Sequence, residues 1–582
     1  MTATDTVRAT PATSSRVRRR PGTRHGWQIA AGVIAAIVVA PVAGVASSVF
    51  QPTREVWALL WETQLVDMFT ATLVLMVGVV LGTVIVGGGL AWLTAIYRFP
   101  GHRALSWLLV LPLAVPAYVL GFVTVGLLDA PGPLQQTIRA IAGEGSIAFD
   151  PRTMAMAIAV FTLALYPYVY LLVRATLADQ SPTPYHVART LGLSPAAAAR
   201  RVLLPLARPA FAAGGALVAM ETLTDFATVQ YFNVETVSVG VERVWHGMYE
   251  RQAAAELAFS VLALAILIIA AERLLRGRAR FEQRGRGEGI APIVLRGQRG
   301  RLATGACIAV LTLAVVIPVI QLVVWTIAAA PFGDTAGRIV AHLTNSVILA
   351  VIAAALCAAG ALVLVNALRL SQDRVTPRLV RVANIGYALP GPVIAIGTLL
   401  LLAGVDRALA AAGIDTGGAI VTGSLLAVAI AYGVRFLALA TNSLDAGLER
   451  VSWATTMSAL TLGASPRRVA WRIHMPQLRT SLGVAVVLVA VDALKELPIV
   501  LLLRPFGFET LSLWVYRSAA ESRWELAGPP ALLIIAVAAI PVVTVFRMQL
   551  RQGDTARTPS APTPAIFDPA AAGTHETTKD VR

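Results

Sequence analysis

Lysine, cysteine and histidine are scarce in this chain of 582 residues, and each shortage excludes a class of site. Lysine occurs only as Lys495 and Lys579, and neither follows the glycines of a G-x-x-x-x-G-K-[ST] phosphate-binding loop. The sequence therefore encodes no ATP site of that type. Cys307 and Cys357 lie in apolar stretches without a second ligand at metal-site spacing, so no disulfide framework or zinc site is predicted. The 7 histidines show no paired spacing, so no metal site and no catalytic residues are predicted.

Charge of either sign is also sparse, which excludes an ordinary soluble domain. Only 14% of the residues are charged and 57% are hydrophobic, a composition typical of a polytopic membrane protein. A helix needs about 20 apolar residues to cross the hydrocarbon core. Twelve stretches satisfy this condition, so the sequence predicts an all-α membrane protein with about 12 transmembrane helices. They lie near 27–50, 68–96, 104–128, 153–173, 207–232, 255–272, 302–330, 343–368, 382–404, 419–441, 480–503 and 527–546.

The formal net charge of +16 raises the question of a nucleic-acid partner, and the placement of the basic residues answers it. With a cytoplasmic N-terminus, 36 Lys and Arg residues fall on the inner segments and 10 on the outer loops. This is the positive-inside pattern. We therefore expect a multi-pass cell-membrane protein with both termini in the cytoplasm and no nucleic acid bound. The Arg-rich stretch near the middle is expected to contact lipid headgroups.

The predicted spans divide into two sets of six. Because six is even, both halves enter the membrane in the same orientation, which predicts two parallel six-helix repeats related by an axis along the membrane normal. The sequence predicts these segments: a cytoplasmic tail at 1–26, a first transmembrane half at 27–275, an Arg/Gly-rich cytoplasmic linker at 276–301, a second transmembrane half at 302–547, and a disordered cytoplasmic tail at 548–582.

One loop occurs in both halves. VARTLGLSPAAAARRVLLPLARP at 187–209 returns as SALTLGASPRRVAWRIHMPQLRT at 458–480, with a constant offset of 271 residues and no gap. Each copy predicts two short helices joined by a corner: the glycine ends the first helix in the left-handed conformation, and Ser-Pro begins the second. The second helix is expected to end at Pro205 or Pro476.

This pattern resembles the EAA loop of ABC importer permeases, in which Gly is followed thirteen residues later by Pro. The family's usual glutamate falls on His186 and Met457, so both copies depart from the motif at that position. The resemblance implies a type I ABC importer permease of the bacterial inner membrane, with the loops contacting two copies of an ATPase subunit. The candidate coupling residues are His186, Ala188, Gly192, Ser194, Pro195, Arg201, Pro205, Met457, Ala459, Gly463, Ser465, Pro466, Arg472 and Pro476.

Charged residues recur at matching positions inside two spans. ETLTDFATVQYF at 221–232 aligns with DALKELPIVLLL at 492–503 by the same offset. Charge inside a span is costly, so such residues indicate either ion pairs or a transport path. A structural interpretation has Asp492 and Lys495 neutralising each other, with Glu221 and Asp225 facing headgroups near the outer mouth. A functional interpretation has them line the path. The candidates are Glu221, Asp225, Asp492, Lys495 and Glu496.

The segment KELPIVLLLRPFGFETLSLWVY at 495–516, taken with TDFATVQYF at 224–232, resembles the ferric-iron importer branch of these permeases. That resemblance implies a chain that binds no cofactor, forms the translocation path, and works with a separate ATPase, which uses ATP, and an extracytoplasmic solute-binding protein. Thiamine, a phosphonate or another small solute as cargo stays open. An ion-coupled secondary transporter, with intramembrane acids as ion sites, is the alternative from another class.

Overall fold

The computed structural model describes residues 22–143, 149–178, 180, 183–276, 293–329, 335–371, 373–414 and 423–555. The predicted tails and linker fall partly outside these residues, at 1–21, 277–292 and 556–582. The described parts of the same segments include helix at 22–26, 297–301 and 548–555.

Fourteen helices make up the first half of the described chain, since apolar runs are punctuated by glycine and proline. They are α1 Gly22–Ser48, α2 Arg54–Thr63, α3 Leu65–Ile96, α4 His102–Leu108, α5 Ala117–Leu128, α6 Pro133–Ala142, α7 Met154–Ala178, α8 Thr183–Thr190, α9 Pro195–Ala198, α10 Leu204–Leu206, α11 Arg208–Thr224, α12 Ala227–Tyr231, α13 Val237–His246 and α14 Arg251–Arg276. A 3-10 segment covers Leu111–Ala114 and a π-helical segment covers Ala199–Leu203.

The second half repeats this order with thirteen described helices. They are α15 Gly297–Leu311, α16 Ile317–Ala329, α17 Thr335–Ser371, α18 Thr376–Ala383, α19 Gly391–Ala411, α20 Leu425–Glu449, α21 Trp453–Thr461, α22 Pro466–Val469, α23 Met475–Gln477, α24 Arg479–Lys495, α25 Pro498–Leu503, α26 Leu511–Ala520 and α27 Trp524–Thr555. The π-helical segments are Thr312–Val316 and Ala470–His474, and a 3-10 segment covers Asn384–Ala388.

The prediction of an all-α membrane protein with about 12 spans is confirmed. Among the described residues, 10 helices are long and apolar enough to cross a membrane. Two bent pairs raise the number to as many as 12: 200–206 with α11, bent by 50°, and 466–477 with α24, bent by 76°. The bends lie where each repeated loop joins the span that follows it.

The sequence repeat is also a repeat of helices. Helix α7 and helix α20 begin 271 residues apart and end 271 residues apart, and the same holds for α11 and α24. The two halves therefore present the same elements to each other across their contact.

The first span of each half packs against the other half. Helix α1 contacts α17, α18 and α19, while α16 contacts α5 as well as α27. Two large apolar cores result, and each contains residues from both halves. Two short parallel strands add a further link, since β1 (Tyr97–Arg98) pairs with β2 (Ile293–Val294). The halves are thus interlocked, and their contact positions the site described next.

Candidate functional site

Each EAA-like loop turns at a left-handed glycine. The first loop spans 183–209 and the second spans 453–480. The φ angle is +90° at Gly192 and +86° at Gly463. The Gly192 N–H donates to the carbonyl of Arg189, and the Gly463 N–H donates to the carbonyl of Leu460, which satisfies groups at the helix end. The corner predicted from the sequence is present in both copies.

The second helix of each loop begins with a serine cap. Ser194 Oγ accepts from the N–H of Ala197, and Ser465 Oγ accepts from the N–H of Arg468, each at 3.3 Å. These bonds supply partners for N–H groups that the first turn leaves unpaired.

The predicted ends of these helices are Pro205 and Pro476, and each helix ends one residue later. Helical structure continues to Leu206 and Gln477, because the preceding turn widens into a π-helical segment in both copies. Proline lacks an N–H and its ring collides with the carbonyl four residues earlier in a regular α-helix. The wider turn accommodates the ring, and the bend follows immediately.

The other candidate residues of the loops divide into an exposed set and a buried set. Ala188 is buried and Ala459 is half-buried, so the alanines face the body of the protein. At the departures from the motif, His186 is exposed and stacks edge-on against Tyr185, and Met457 is half-buried. The exposed set is Arg201, Pro205, Arg472 and Pro476. Leu191 and Leu462, 271 residues apart, are also exposed, by 79% and 88%.

All five charged candidates of the spans line one cavity between the two halves. This central cavity has a volume of about 150 Å³. Glu221 and Asp225 enter from the end of α11, and the three residues from the equivalent helix α24 and its C-cap lie opposite. Its lining includes Tyr118, Tyr168, Glu221, Asp225, Tyr387, Arg435, Asp492, Lys495 and Glu496. The structure therefore brings the sequence-predicted acids together.

Two ion pairs neutralise half of the carboxylates. Lys495 Nζ lies 2.8 Å from Asp492 Oδ1, the neutralisation considered in the structural interpretation of the sequence. Arg435 Nε lies 3.1 Å from Glu496 Oε2, and this pair is nearly inaccessible, with side chains 12% and 7% exposed. A buried pair of this kind persists only when its geometry compensates for the loss of hydration.

Glu221 and Asp225 have no ion-pair partner within the described part of the chain. The Asp225 carboxylate accepts from the Thr228 N–H at 2.7 Å and from the Thr228 hydroxyl at 2.6 Å, which holds it at the start of α12. Four carboxylates and two cations line the cavity, so its walls carry a formal excess of two negative charges.

The acids lie deeper than the outer mouth expected from the sequence. Tyr168, which shares the cavity, is 14 residues from the start of α7, about 21 Å along the helix, and 10 residues from its end. The expectation counted a straight helix from Pro205, whereas the chain bends by 50° between residues 200–206 and α11. The acids therefore lie near the middle of the bundle.

Arg435 is the functional candidate that sequence reasoning left without a role. An arginine inside a predicted span was a sufficient signal, since such residues face a cavity or an ion pair. Tyr118 was also missed: it is only 5% exposed, it lines the cavity, and its hydroxyl has no hydrogen-bond partner among the described residues. An apolar stretch containing one tyrosine gives no comparable signal.

The part of the chain that the structure describes contains no group of three or more His, Cys, Asp or Glu side chains arranged to hold a metal ion. Two repeated loops, two interlocked halves and a charged cavity between them are features expected of a membrane transport protein. Residues 84–280, which contain the first loop and Glu221 and Asp225, match the family described as the binding-protein-dependent transport system inner membrane component. Over residues 84–280 the chain is therefore similar to the permeases of that family.

Relatives of known name agree with this assignment. The permease is 27% identical over 495 residues to the Fe(3+)-transport system permease protein FbpB 2 of Haemophilus influenzae, which covers 84% of this chain and 91% of that protein. It is 27% identical over 240 residues to the sulfate transport system permease protein CysT of Salmonella typhimurium, covering 40% of this chain and 84% of the relative. The molybdenum transport system permease protein ModB of Azotobacter vinelandii is 29% identical over 145 residues, covering 25% of this chain and 62% of the relative. The apolar helices and these similarities together support a multi-pass inner-membrane protein.

Proposed function

We propose that this permease forms the translocation path of an importer for ferric iron. The observation that carries the proposal is the central cavity, where four carboxylates outnumber two cations at the contact of the two halves. Iron(III) is a hard cation that favours oxygen ligands, and a negative lining lowers the cost of its entry. The extended similarity to a permease named for Fe(3+) transport supports the same cargo.

In this mechanism the helices of the permease move, and the separate ATPase subunits carry out the chemistry. ATP binding in two separate ATPase subunits draws the EAA-like loops together, and the interlocked halves rock so that the cavity opens to one side at a time. Exposed Leu191 and Leu462, at equivalent corners, offer each ATPase subunit the same apolar contact. The candidate coupling residues surround these corners.

The orientation follows from the basic residues. The EAA-like loops face the cytoplasm together with both termini, and the opposite face receives the solute-binding protein. That face carries an ion pair repeated in both halves, Glu235 with Arg243 and Glu509 with Arg517, beside a fully exposed Phe506. These residues offer the binding protein both charge and an apolar contact.

An oxyanion is the second candidate cargo, because Arg435 and Lys495 line the same cavity and two relatives are named for sulfate and molybdenum transport. Both cations are already paired with carboxylates in this structure, which favours a cation as cargo. Thiamine and phosphonates are further candidate cargoes, to be compared with iron in the uptake assay described next.

The test is uptake of radioactive iron into proteoliposomes that contain the permease, its ATPase and its binding protein. The double variant Glu221→Gln, Asp225→Asn removes the two carboxylates that have no cation partner in the described chain, and we expect uptake to fall at least tenfold. Asp67→Asn, an exposed acid on α3, is the matched control and is expected to transport normally.

Three results would overturn parts of the proposal. Undiminished iron uptake by the double variant would remove the carboxylates from the path. Uptake of sulfate, molybdate, thiamine or a phosphonate in place of iron would replace the cargo and leave the permease function intact. Uptake driven by an ion gradient without ATP would instead support a secondary transporter.

A further inference from the structure

The central cavity shares a wall with a second cavity that extends toward the EAA-like loops. This loop-side cavity has a volume of about 220 Å³. It follows α11 back from Thr224 to Ala213 and reaches Glu272 near the end of α14. Since α11 begins at the first loop, the two cavities follow one another along the direction of transport.

Four residues line both cavities and therefore form the wall between them. Glu221 and Thr224 come from the first half, and Tyr387 and Arg435 come from the second. The wall thus crosses the contact between the halves, which is the place that a rocking motion would separate. Arg435 is the cation among these four residues.

The second half holds Arg435 in place from three sides. Its Nε pairs with Glu496, its Nη1 donates to the carbonyl of Leu389 at 3.3 Å, and its guanidinium lies 6.0 Å from the ring of Phe436. Gly391 makes room for this arrangement, because a Cβ there would come within 3.2 Å of Glu496 Oε1 and 3.5 Å of Arg435 Nη1. The pair is therefore part of the packed structure and does not depend on a surface rotamer.

We propose that Arg435 is the gate of this path: paired with Glu496 it closes the wall between the two cavities, and by moving to Glu221 of the opposite half it opens that wall. In the closed state the guanidinium held at this constriction opposes the passage of cations electrostatically. Glu221 lines the same wall and has no ion-pair partner within the described residues, so it offers the guanidinium a second carboxylate when the halves move. Exchange between two carboxylates keeps the buried guanidinium paired in both states, and the Glu496 carboxylate that it leaves still accepts from the N–H of Ile499.

This inference depends on the proposed transport path, but its test requires neither iron nor ATP. Proteoliposomes containing the permease alone enclose calcein, and quenching by external Co²⁺ reports a cation leak. We expect Arg435→Gln to leak at least tenfold faster than the unaltered protein, because the cation that closes the wall is gone. Arg435→Lys retains the charge and is expected to stay closed.

Arg152→Gln is the matched control, since Arg152 is also a cation paired with a carboxylate, Asp129, but lines neither cavity. Equal leak from Arg435→Gln and Arg152→Gln would overturn the gate. If Arg435→Gln fails to fold because Glu496 is left unpaired, the double variant Arg435→Gln, Glu496→Gln removes the whole pair and is expected to leak in the same way. A closed, folded double variant would equally overturn the proposal.

A separate measurement in the complete transporter tests whether Arg435 moves from Glu496 to Glu221. Glu221→Gln removes the second carboxylate, so we expect a closed wall without leak and a transport rate at least tenfold lower, while cargo still stimulates ATP hydrolysis. Normal transport by Glu221→Gln would show that Arg435 does not move to Glu221. A cargo other than iron would leave the Co²⁺ result unchanged, so failure of the proposed cargo and failure of the gate are distinguishable.

Discussion

Gly44 and Gly397 lie face to face across the contact between the first span and the opposite half. A Cβ built on Gly44 would come 3.1 Å from the carbonyl oxygen of Gly397, and one built on Gly397 would overlap the carbonyl group of Pro41. Helices approach this closely in membranes where small residues let the backbones meet. The packing of α1 against the opposite half therefore includes a close contact that only glycine permits.

We predict that Gly397→Ala destabilises the interlocked fold. The added methyl group has no space against Pro41, and overpacking of a close contact typically costs about 1–3 kcal/mol. The thermal unfolding midpoint in detergent should fall, and limited proteolysis should cut between α1 and α2 more readily.

Gly404→Ala provides the control on the same helix, because a Cβ at Gly404 would meet nothing within 4 Å. In that variant the gain in helix propensity should leave stability unchanged or slightly higher. An equal midpoint for the Gly397 and Gly404 variants would contradict the close contact.

The sequence was sufficient to predict the spans and the loops, because these features are local. Apolar runs identified twelve spans, and the corner at Gly192 followed from glycine and Ser-Pro chemistry within a few residues. The contact of Gly397 with Pro41 joins residues 356 apart, and no periodicity in either helix names its partner. The same limit applies to Glu496, whose alignment with Asp225 was visible while its pairing with Arg435 on another helix was not.

The proposed orientation can be tested with single cysteines. Thr190→Cys and Thr461→Cys place a thiol at equivalent exposed positions of the two EAA-like loops. Ala140→Cys places one at an exposed position near the C-terminal end of α6. The native Cys307 and Cys357 are fully buried, so background labelling by a membrane-impermeant maleimide should be low.

We expect positions 190 and 461 to react only from the cytoplasmic side and position 140 only from the outside. Gly132, which directly precedes α6, is not suitable for an introduced cysteine, because a Cβ there would come 2.6 Å from the carbonyl oxygen of Leu127. Labelling of positions 190 and 461 from opposite sides would contradict the parallel repeat.

Coupling to the ATPase should depend on the left-handed corners. Replacing Gly192 or Gly463 by valine places a β-branched residue at φ near +90° or +86°, at a local cost of about 1–3 kcal/mol. No atom lies within 4 Å of a Cβ at either position, so the effect would come from the backbone and not from a clash. The double valine variant should lose most of the stimulation of ATP hydrolysis by cargo.

Asparagine is the informative control at these corners, since it adopts the left-handed region several times more often than other residues with a side chain. The double Asn variant should retain most of the stimulation. Full stimulation of ATP hydrolysis by cargo in the double valine variant would show that coupling does not depend on the left-handed corners.

The two loops differ in how they are fixed to the spans. In the second loop His474 is fully buried, with Nδ1 at 2.7 Å from Asn366 Oδ1 of α17 and Nε2 at 3.0 Å from Thr456 Oγ1 of α21. Because the Asn366 oxygen only accepts, Nδ1 carries the proton and Nε2 accepts from the threonine hydroxyl. The equivalent of His474 in the first loop is Leu203, which is buried in an apolar core.

We predict that His474→Leu weakens the attachment of the second loop although leucine occupies the equivalent site in the first. The substitution leaves the Asn366 carbonyl and the Thr456 hydroxyl buried without a partner, at a cost of about 1–3 kcal/mol. The unfolding midpoint should fall, and uptake per ATP hydrolysed should decrease because α17 no longer follows the loop.

The triple variant His474→Leu, Asn366→Leu, Thr456→Val replaces all three polar groups with apolar ones, and we expect it to recover most of the stability, since matched removal of hydrogen-bonding partners is close to neutral. If coupling recovers together with stability, the network acts only through rigidity. If stability returns while uptake per ATP stays low, the hydrogen bonds themselves transmit the movement. An unchanged unfolding midpoint in the single variant His474→Leu would contradict both interpretations.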